Sequence, residues 1–316
     1  MWWNVENLFD TSHDSLKHDE EFMPEAMRHW HYGRYKKKLD DIATVIVAAG
    51  QWEIPALIGL CEVENDSVLI DLTRYSALRS LGYRYVMTHS NDVRGIDVAL
   101  LYQRDQFKLL QKDTIRVSCP HHRPTRDLLH VAGQLISGDT LDVLLAHFPS
   151  RAGGSYKQSE PYRLLVAQAL RQEADRLMQH RQHPLILIMG DFNDYPTNRS
   201  VTKILQAKAP PTLVSPHQLY HLLARQARHP DIGTYKYKGQ WGLLDHIIVS
   251  GALLQPQSPL YTNEKQAEIA QLPILLKDDT AYGGRQPFRT YIGLKYQGGI
   301  SDHLPLLLHC RITIKP

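Results

Sequence analysis

Six clusters of chemistry-bearing residues punctuate this 316-residue chain: Asn4; Glu62; His147; Asp191 with Asn193; Asp245; and Asp302 with His303. All but Asp245 close an apolar run or stand beside one, at a position where a strand would empty into a polar turn; Asp245 lies near the start of its own run. A single carboxylate there is ordinarily a turn residue or a helix cap. Six such clusters in one chain suit a site assembled from many strand ends. A hard divalent cation such as Mg²⁺ takes a few carboxylate or carbonyl oxygens and keeps water for the substrate. Glu62, Asp302 and Asn4 supply that donor set without cysteine. Asp191, Asn193 and the His303 imidazole are the candidates for base and water-positioning group. An imidazole needs a partner to fix its tautomer, and Asp245 is available for that.

The elements that must carry these residues follow from hydropathy. Ile186-Leu187-Ile188-Met189 is a buried strand feeding Gly190-Asp191-Phe192-Asn193-Asp194, and Asp194 suits the start of the next turn. Met1 to Phe9 reads as a short strand, and residues 10–33 as a long loop. Lys36 to Ala49 has the helical spacing of Leu39, Ile42, Val45, Ile46 and Ala49, with Gly50 suited to the position after it. A strand over Pro55 to Cys61 and a helix over Ser67 to Ser80, with Leu69, Leu72, Tyr75 and Leu78 on one face, come next.

Strands are then expected at Tyr83 to Thr88, Ile96 to Tyr102, Lys108 to Val117, Leu128 to Ile136 and Leu141 to Phe148. Ser159, as N-cap, and Pro161 open a long helix to about His180, and a short helix ends near Ala207. Leu243 to Val249 and Leu304 to Ile314 are the last strands. Residues 251–300 are too long for a simple connection. No repeat or linker divides the chain, so residues 1–316 are expected to form one domain with long loops at about 10–33 and 251–300.

Composition narrows the classes. With 43% hydrophobic and 22% charged residues the chain is an ordinary globular one. A net charge of +3 permits an anionic partner without demanding one. Three cysteines at wide spacing make neither a disulfide framework nor a zinc site. No apolar run reaches the ~18 residues of a membrane span. Asn4 stands so near the start that either the first strand is short or a leader, such as a secretory signal, precedes it in the natural protein.

Trp3-Asn4-Val5, Cys61-Glu62-Val63, Ala146-His147-Phe148-Pro149-Ser150-Arg151, Gly190-Asp191-Phe192-Asn193, Leu244-Asp245-His246-Ile247 and Ser301-Asp302-His303-Leu304-Pro305 together resemble the successive motifs of the endonuclease/exonuclease/phosphatase superfamily. The resemblance implies an α/β fold, a four-layer α/β/β/α sandwich of two mixed sheets packed face to face with outer helices, like DNase I. It also implies a metal-dependent phosphoester hydrolase. By position, Glu62 would be the principal ligand of Mg²⁺, with Mn²⁺ as substitute, and Asn4 and Asp302 would stand beside it. Asp191 and Asn193 would orient water and phosphoryl group, Asp245 would pair with His303, and His147 would stabilise developing charge. Either Asp191 or His303 is the base.

The expected partner is a phosphodiester substrate, with nucleic acid the leading class. A lipid-headgroup (sphingomyelinase-like) or inositol phosphate hydrolase is the rival within the fold, since fold does not fix substrate. A non-catalytic binding module is weakened by the intact set of catalytic positions. Arg151 reads either as a clamp for a substrate phosphate oxygen or as a solvated loop arginine. Alternation turns Asn7 to the side opposite Asn4 and His246 away from the site. Asp97 either orients His147 or bonds nearby backbone. Lys36-Lys37-Lys38 reads as a solvated helix face. The aromatic and basic residues of the later insertion, including Tyr282, Arg285, Arg289, Tyr291 and Tyr296, suit substrate contact or a folded flap.

Overall fold

The computed structural model describes residues 1–51, 53–119, 125–151 and 156–314. Strand β1 (Trp2–Leu8), helix α1 (Tyr32–Ala49), β2 (Leu57–Val63), α2 (Asp66–Arg74), β3 (Arg84–Met87) and β4 (Asp97–Tyr102) come first. Then follow β5 (Phe107–Ile115), β6 (Leu128–Leu135), β7 (Thr140–His147), α3 (Tyr156–His180), β8 (Leu185–Asp191) and β9 (Leu219–His221). A hairpin of β10 (Tyr235–Tyr237) and β11 (Gln240–Gly242) precedes β12 (Asp245–Ser250). The later insertion holds β13 (Leu260–Tyr261), β14 (Ala267–Ile269), the hairpin β15 (Leu276–Asp278) with β16 (Arg285–Pro287), and the hairpin β17 (Tyr291–Ile292) with β18 (Lys295–Tyr296). Strands β19 (Leu306–Leu308) and β20 (Arg311–Ile312) finish the chain.

Two six-stranded sheets form, in the orders β14-β19-β1-β2-β4-β3 and β5-β6-β7-β8-β12-β9. Both are mixed: β1 runs parallel to β2 and β7 parallel to β8, while their other neighbours are antiparallel. Alternation along each strand divides the apolar residues between layers. Trp2, Cys61, Val98, Val143, Leu145, Leu187, Met189, Ile247 and Val249 meet between the sheets. Trp3, Val5, Ile58 and Leu60 face α1 and α2. Leu144, Ala146, Ile186, Ile188 and Ile248 face α3. The result is the α/β/β/α sandwich, with each fully buried aliphatic side chain contributing about 1.5–3 kcal/mol.

Several local expectations change. Helix α1 begins at Tyr32, and Gly50 has φ −70° in place of a left-handed cap. The expected second helix breaks in two: α2 is capped by Asn65, which accepts the Val68 N–H, and a 3₁₀ turn over Ala77–Leu81 follows, with Tyr75 exposed between them. Helix α3 already contains Tyr156, so Ser159 lies inside it and accepts from Arg163 Nη1 (2.8 Å). The last strand divides because β19 pairs β14 and β1 while β20 pairs β13. The 251–300 segment is thus a chain of short strands, one of which joins the first sheet. No helix among the described residues is long and apolar enough to cross a membrane.

Candidate active site

Asn4, His147, Asp191 and Asp245 reach one end of the sandwich because each continues the row that faces the opposite sheet. On β8 that row is Leu185, Leu187, Met189 and Asp191, and on β7 it is Leu141, Val143, Leu145 and His147. His147 and Asp191 are register partners across the parallel pair, and Asp191 is the partner of Asp245 across the antiparallel one. Gly190 is required where these strands meet: a Cβ there would sit 2.5 Å from the Ala146 carbonyl and from the Phe192 ring. Phe192 instead stacks on Phe148, centroids 4.3 Å apart, on the α3 side.

Glu62 arrives by a different route. Strict alternation after Cys61 would send it toward the helices with Leu60, but its φ is +62° and the β2–β4 register slips between Cys61 and Val63. Glu6 and Asn7 have φ of +49° and +52°, and the β1–β2 register slips across them. Asn193, at φ +49°, is a further non-glycine residue in the left-handed region at the cleft. Such backbone costs about 1–3 kcal/mol per residue and collects at functional sites, where bulges re-aim side chains. The bulge corrects the expectation for Asn7. It lines the cleft, and its N–H donates to Glu62 Oε2 (2.9 Å).

The polar groups converge on Asp191. Its Oδ1 accepts the Asn193 N–H (2.9 Å), and its Oδ2 accepts Asn4 Nδ2 (3.0 Å). His147 Nε2 and His303 Nε2 each stand 3.8 Å from the same Oδ2. Asn4 Nδ2 also donates to Glu62 Oε1 (3.3 Å), while Asn4 Oδ1 accepts the Glu6 N–H (2.9 Å). Asn4 therefore ties two carboxylates together. His303 Nδ1 lies 2.6 Å from Asp245 Oδ2, and Trp2 Nε1 donates to Asp245 Oδ1 (2.8 Å). Asn193 Nδ2 donates to the Phe148 carbonyl (3.1 Å). Asp302 lines the cleft, held by Arg289 Nη2 (2.5 Å).

Burial and charge set the protonation states. Burial pushes Asp191 up to about 7; the nearby His303 charge works against that rise and Asp245 adds to it. Burial also opposes ionisation of Asp245, yet His303 and hydrogen bonds from Thr234 and Trp2 hold it below the usual value. His303 shows the reverse balance: burial disfavours its charge, but Asp245 and Asp191 raise its pKa well above that of free histidine. His147 is driven well below by burial, then by Arg126 and Arg94. Its buried Nδ1 meets no partner among the described residues. An unmet acceptor is cheaper than an unmet donor, so its proton belongs on Nε2, which faces the carboxylates.

The donors suit a hard divalent ion. Glu62 and Asp302 bring carboxylate oxygens with 15% and 22% of their side chains exposed, whereas the neighbouring Cys61 is sealed between the sheets. Asp191, Asp245 and His303 form a second, fully buried group whose ligand atoms all lie within 4.8 Å of one another. That group is sealed from solvent and Asp245 is held by both His303 and Trp2, whereas Asp302, though paired with Arg289 (2.5 Å), stays partly exposed in the cleft.

Other expectations resolve on contacts. Asp97 bonds Thr88 Oγ1 (2.6 Å) and the Ser90 N–H (3.0 Å), with no bond to His147. Arg151 lines the cleft, but Nε donates to the Asn193 carbonyl (2.6 Å) and Nη2 to Asn198 Oδ1 (3.0 Å). The edge needed for an Nε/Nη2 phosphate clamp is therefore occupied in bracing the loop that carries Asn193. His246 points to the α3 side, between His221 (2.6 Å) and the Asp194 carbonyl (2.9 Å). Asp194 is a buried anchor for Arg163 (2.8 Å) and Ser200 (2.6 Å).

Lys38 overturns its assignment to a solvated face. Lys36 and Lys37 pair with Asp40 and Asp41 on the surface, but Lys38 is 2% exposed and donates to the Glu6 carbonyl and Thr290 Oγ1 (2.8 Å). Glu6 in turn accepts the N–H groups of Thr290 (2.7 Å) and Tyr291 (3.3 Å). Sequence reading missed this link between β1 and the insertion. Its one signal was Glu6 beside Asn7, breaking the alternation of an otherwise buried strand. Of the insertion residues singled out, Arg289 and Tyr291 reach the cleft.

A profile of the Endonuclease/Exonuclease/phosphatase family matches residues 1–312. No curated protein matches the chain. Among solved structures it is similar to the human Nocturnin catalytic domain with bound sulfate, at 19% identity and TM-score 0.55, covering 88% of this chain and 87% of that one. It is similar to D. rerio TDP2 complexed with single strand DNA product, at 14% identity and TM-score 0.56, covering 87% and 93%. It also resembles the mannosyl-6-phosphatase of Bacteroides thetaiotaomicron, at 15% identity and TM-score 0.59, covering 98% of each chain. At these identities the likenesses bear on the fold, whereas the profile match spans nearly the whole chain. The protein belongs to the endonuclease/exonuclease/phosphatase family of phosphoesterase hydrolases.

Proposed function

We propose that the protein is a Mg²⁺-dependent phosphodiester hydrolase in which water attacks phosphorus in one step, with nucleic acid as the substrate class. The observation that carries this reading is the approach of two imidazoles to 3.8 Å from one oxygen of Asp191, too far for direct hydrogen bonds but close enough for all three groups to act on one substrate or water oxygen. Glu62 and Asp302, with Asn4 bridging, would hold the ion. When bound, it polarises a phosphoryl oxygen and offsets the charge that builds there.

The side chains divide the remaining work. Asp191 is the base: a pKa of about 7 places it near the working pH, and Asn4 and the Asn193 N–H fix its carboxylate. The paired His303 is already protonated, so it cannot accept the water's proton; its Nε2–H faces the phosphoryl group as a charged donor. His147 adds a neutral donor on the same side. Preorganised donors of this kind act where charge develops and need no rearrangement during reaction. Of the tyrosines lining the cleft, Tyr195 and Tyr237 are exposed and offer surface on which bases can stack.

One feature favours a second reading, the hydrolysis of a compact lipid-headgroup or inositol phosphate. The cleft measures about 730 Å³, and β10–β11 lies beside β15–β16, joined by Lys236 to Asp279 (2.8 Å) and to the Gly283 carbonyl (2.8 Å). This wall limits how far a polymer can extend on that side. A panel of single- and double-stranded DNA, RNA, sphingomyelin and inositol phosphates, each with Mg²⁺ and with chelator, separates the readings. Turnover confined to lipid or inositol substrates contradicts the nuclease.

A further inference from the structure

Among the described residues, four arginines line the cleft: Arg28, Arg94, Arg151 and Arg289. Three have their guanidinium groups committed. Arg28 Nε bonds Glu21 (2.8 Å), Arg289 bonds Asp302 (2.5 Å), and Arg151 braces the Asn193 loop. Arg94 is different. Its Nε lies 3.7 Å from Asp92 Oδ1, beyond hydrogen-bond range, and 43% of its side chain is exposed. Asp92 is already satisfied: Oδ1 accepts the backbone N–H of Arg94 (3.0 Å) and Oδ2 accepts Arg126 Nη1 (3.0 Å). With the side chain 43% exposed and no hydrogen bond to Asp92 to break, the guanidinium can turn toward a ligand at little cost.

The backbone beneath Arg94 is held from three sides. Asp97 accepts the Ser90 N–H (3.0 Å), and Lys17 Nζ donates to the carbonyls of Ser90 (2.8 Å) and Asp92 (3.0 Å). Arg126 connects Asp92 to the carbonyls of His147 (3.1 Å) and Phe148 (2.6 Å), at the end of β7. Gly95, at φ +75°, completes the turn, with Lys17 packed so that a Cβ would lie 3.1 Å from its Cγ. A fixed platform beside His147 thus presents an uncommitted cation to the cleft, and the 10–33 loop supplies one of its fastenings.

We propose that Arg94 is the arginine that binds a nonbridging oxygen of the substrate's phosphoryl group, and that Lys17 positions it from the long N-terminal loop. The inference rests on reading the cleft as a phosphoester site. Arginine suits the task because its planar donors match phosphate oxygens in pairs.

The test measures binding of inorganic phosphate to the full chain in Mg²⁺ by titration calorimetry, beside KM for a generic phosphodiester. Arg94→Gln should weaken phosphate binding and raise KM by roughly tenfold or more, since a hydrogen bond to a charged group is worth about 1.5–3 kcal/mol. Arg94→Lys should recover part of both. Lys17→Met should raise KM with kcat little changed. Phosphate affinity of Arg94→Gln within twofold of wild type overturns the proposal, as does wild-type protein that hydrolyses diesters but binds no phosphate. Absence of any metal-dependent hydrolysis by wild type would instead count against the proposed function, a separate readout.

Discussion

His303 and Asp245 form a buried ion pair, Nδ1 to Oδ2 at 2.6 Å, that fixes which face of the imidazole meets Asp191. Trp2 holds the other carboxylate oxygen at 2.8 Å, so the aspartate cannot turn away. The pair raises the pKa of His303 despite burial, and the folded state therefore binds that proton more tightly than the unfolded chain. Its contribution to stability is complete below the unfolded value of about 6.5 and fades as pH climbs through the higher folded value.

Asp245→Asn removes the charge that keeps His303 protonated. The wild-type kcat/KM profile should rise as Asp191 ionises, at or below about 7, and fall only where His303 loses its proton. In Asp245→Asn the alkaline limb should move to lower pH and kcat should drop about 10²–10⁴-fold, from the typical contribution of a positioned acid–base group up to the loss when an oriented imidazole loses its carboxylate. An unchanged alkaline limb contradicts the role given to the pair.

Asp191→Asn should separate activity from stability. Burial raises the folded pKa of Asp191 from 3.8 to about 7, so ionising it costs stability that grows as pH rises between those values. With chelator at pH 8, the asparagine variant should melt higher than wild type, by roughly several degrees, while turnover with Mg²⁺ falls by orders of magnitude. A lower Tm in the variant would show that the carboxylate is structurally favourable as it stands.

Glu62→Gln keeps the shape and an oxygen to accept the Asn7 N–H, but removes a charge from the expected ion site. The Mg²⁺ concentration for half-maximal activity should rise about tenfold or more, with Tm in chelator nearly unchanged. A metal titration that overlays wild type would remove Glu62 from the ligand set.

Lys38→Met tests the buried link between β1 and the insertion. Losing the ammonium leaves the Glu6 carbonyl and Thr290 Oγ1 without their donor and removes a cation close to Glu6. Urea denaturation should show a loss of about 1–3 kcal/mol for each buried acceptor left unmet, against about 0.5 kcal/mol for Lys36→Met. Equal effects at the two lysines would contradict the burial of Lys38.

The sandwich and the segments feeding one cleft were legible because strand alternation fixes direction along uninterrupted rows such as Leu185 to Asp191. Alternation fails where the chain bulges, and the left-handed residues Glu6, Asn7 and Glu62 reset its phase, which misplaced Asn7. The slip leaves a trace: Leu60 and Val63, three positions apart, both face the helices, as do Val5 and Leu8. Lys38 was unreadable because its partners, Glu6 and Thr290, lie 32 and 252 residues away. The bracing contacts of Arg151 were illegible for a similar reason, since nothing local announces that Asn193 and Asn198 will take up its donors. The second helix was overextended because Tyr75 fits the period although the chain turns there.

The most direct test is hydrolysis of a generic phosphodiester and of single-stranded DNA by wild type and Asp191→Asn, each with Mg²⁺ and with chelator. Turnover by wild type that needs the metal and is lost by orders of magnitude in Asp191→Asn is the predicted result. Metal-independent turnover, or near-normal turnover in the variant, would contradict it.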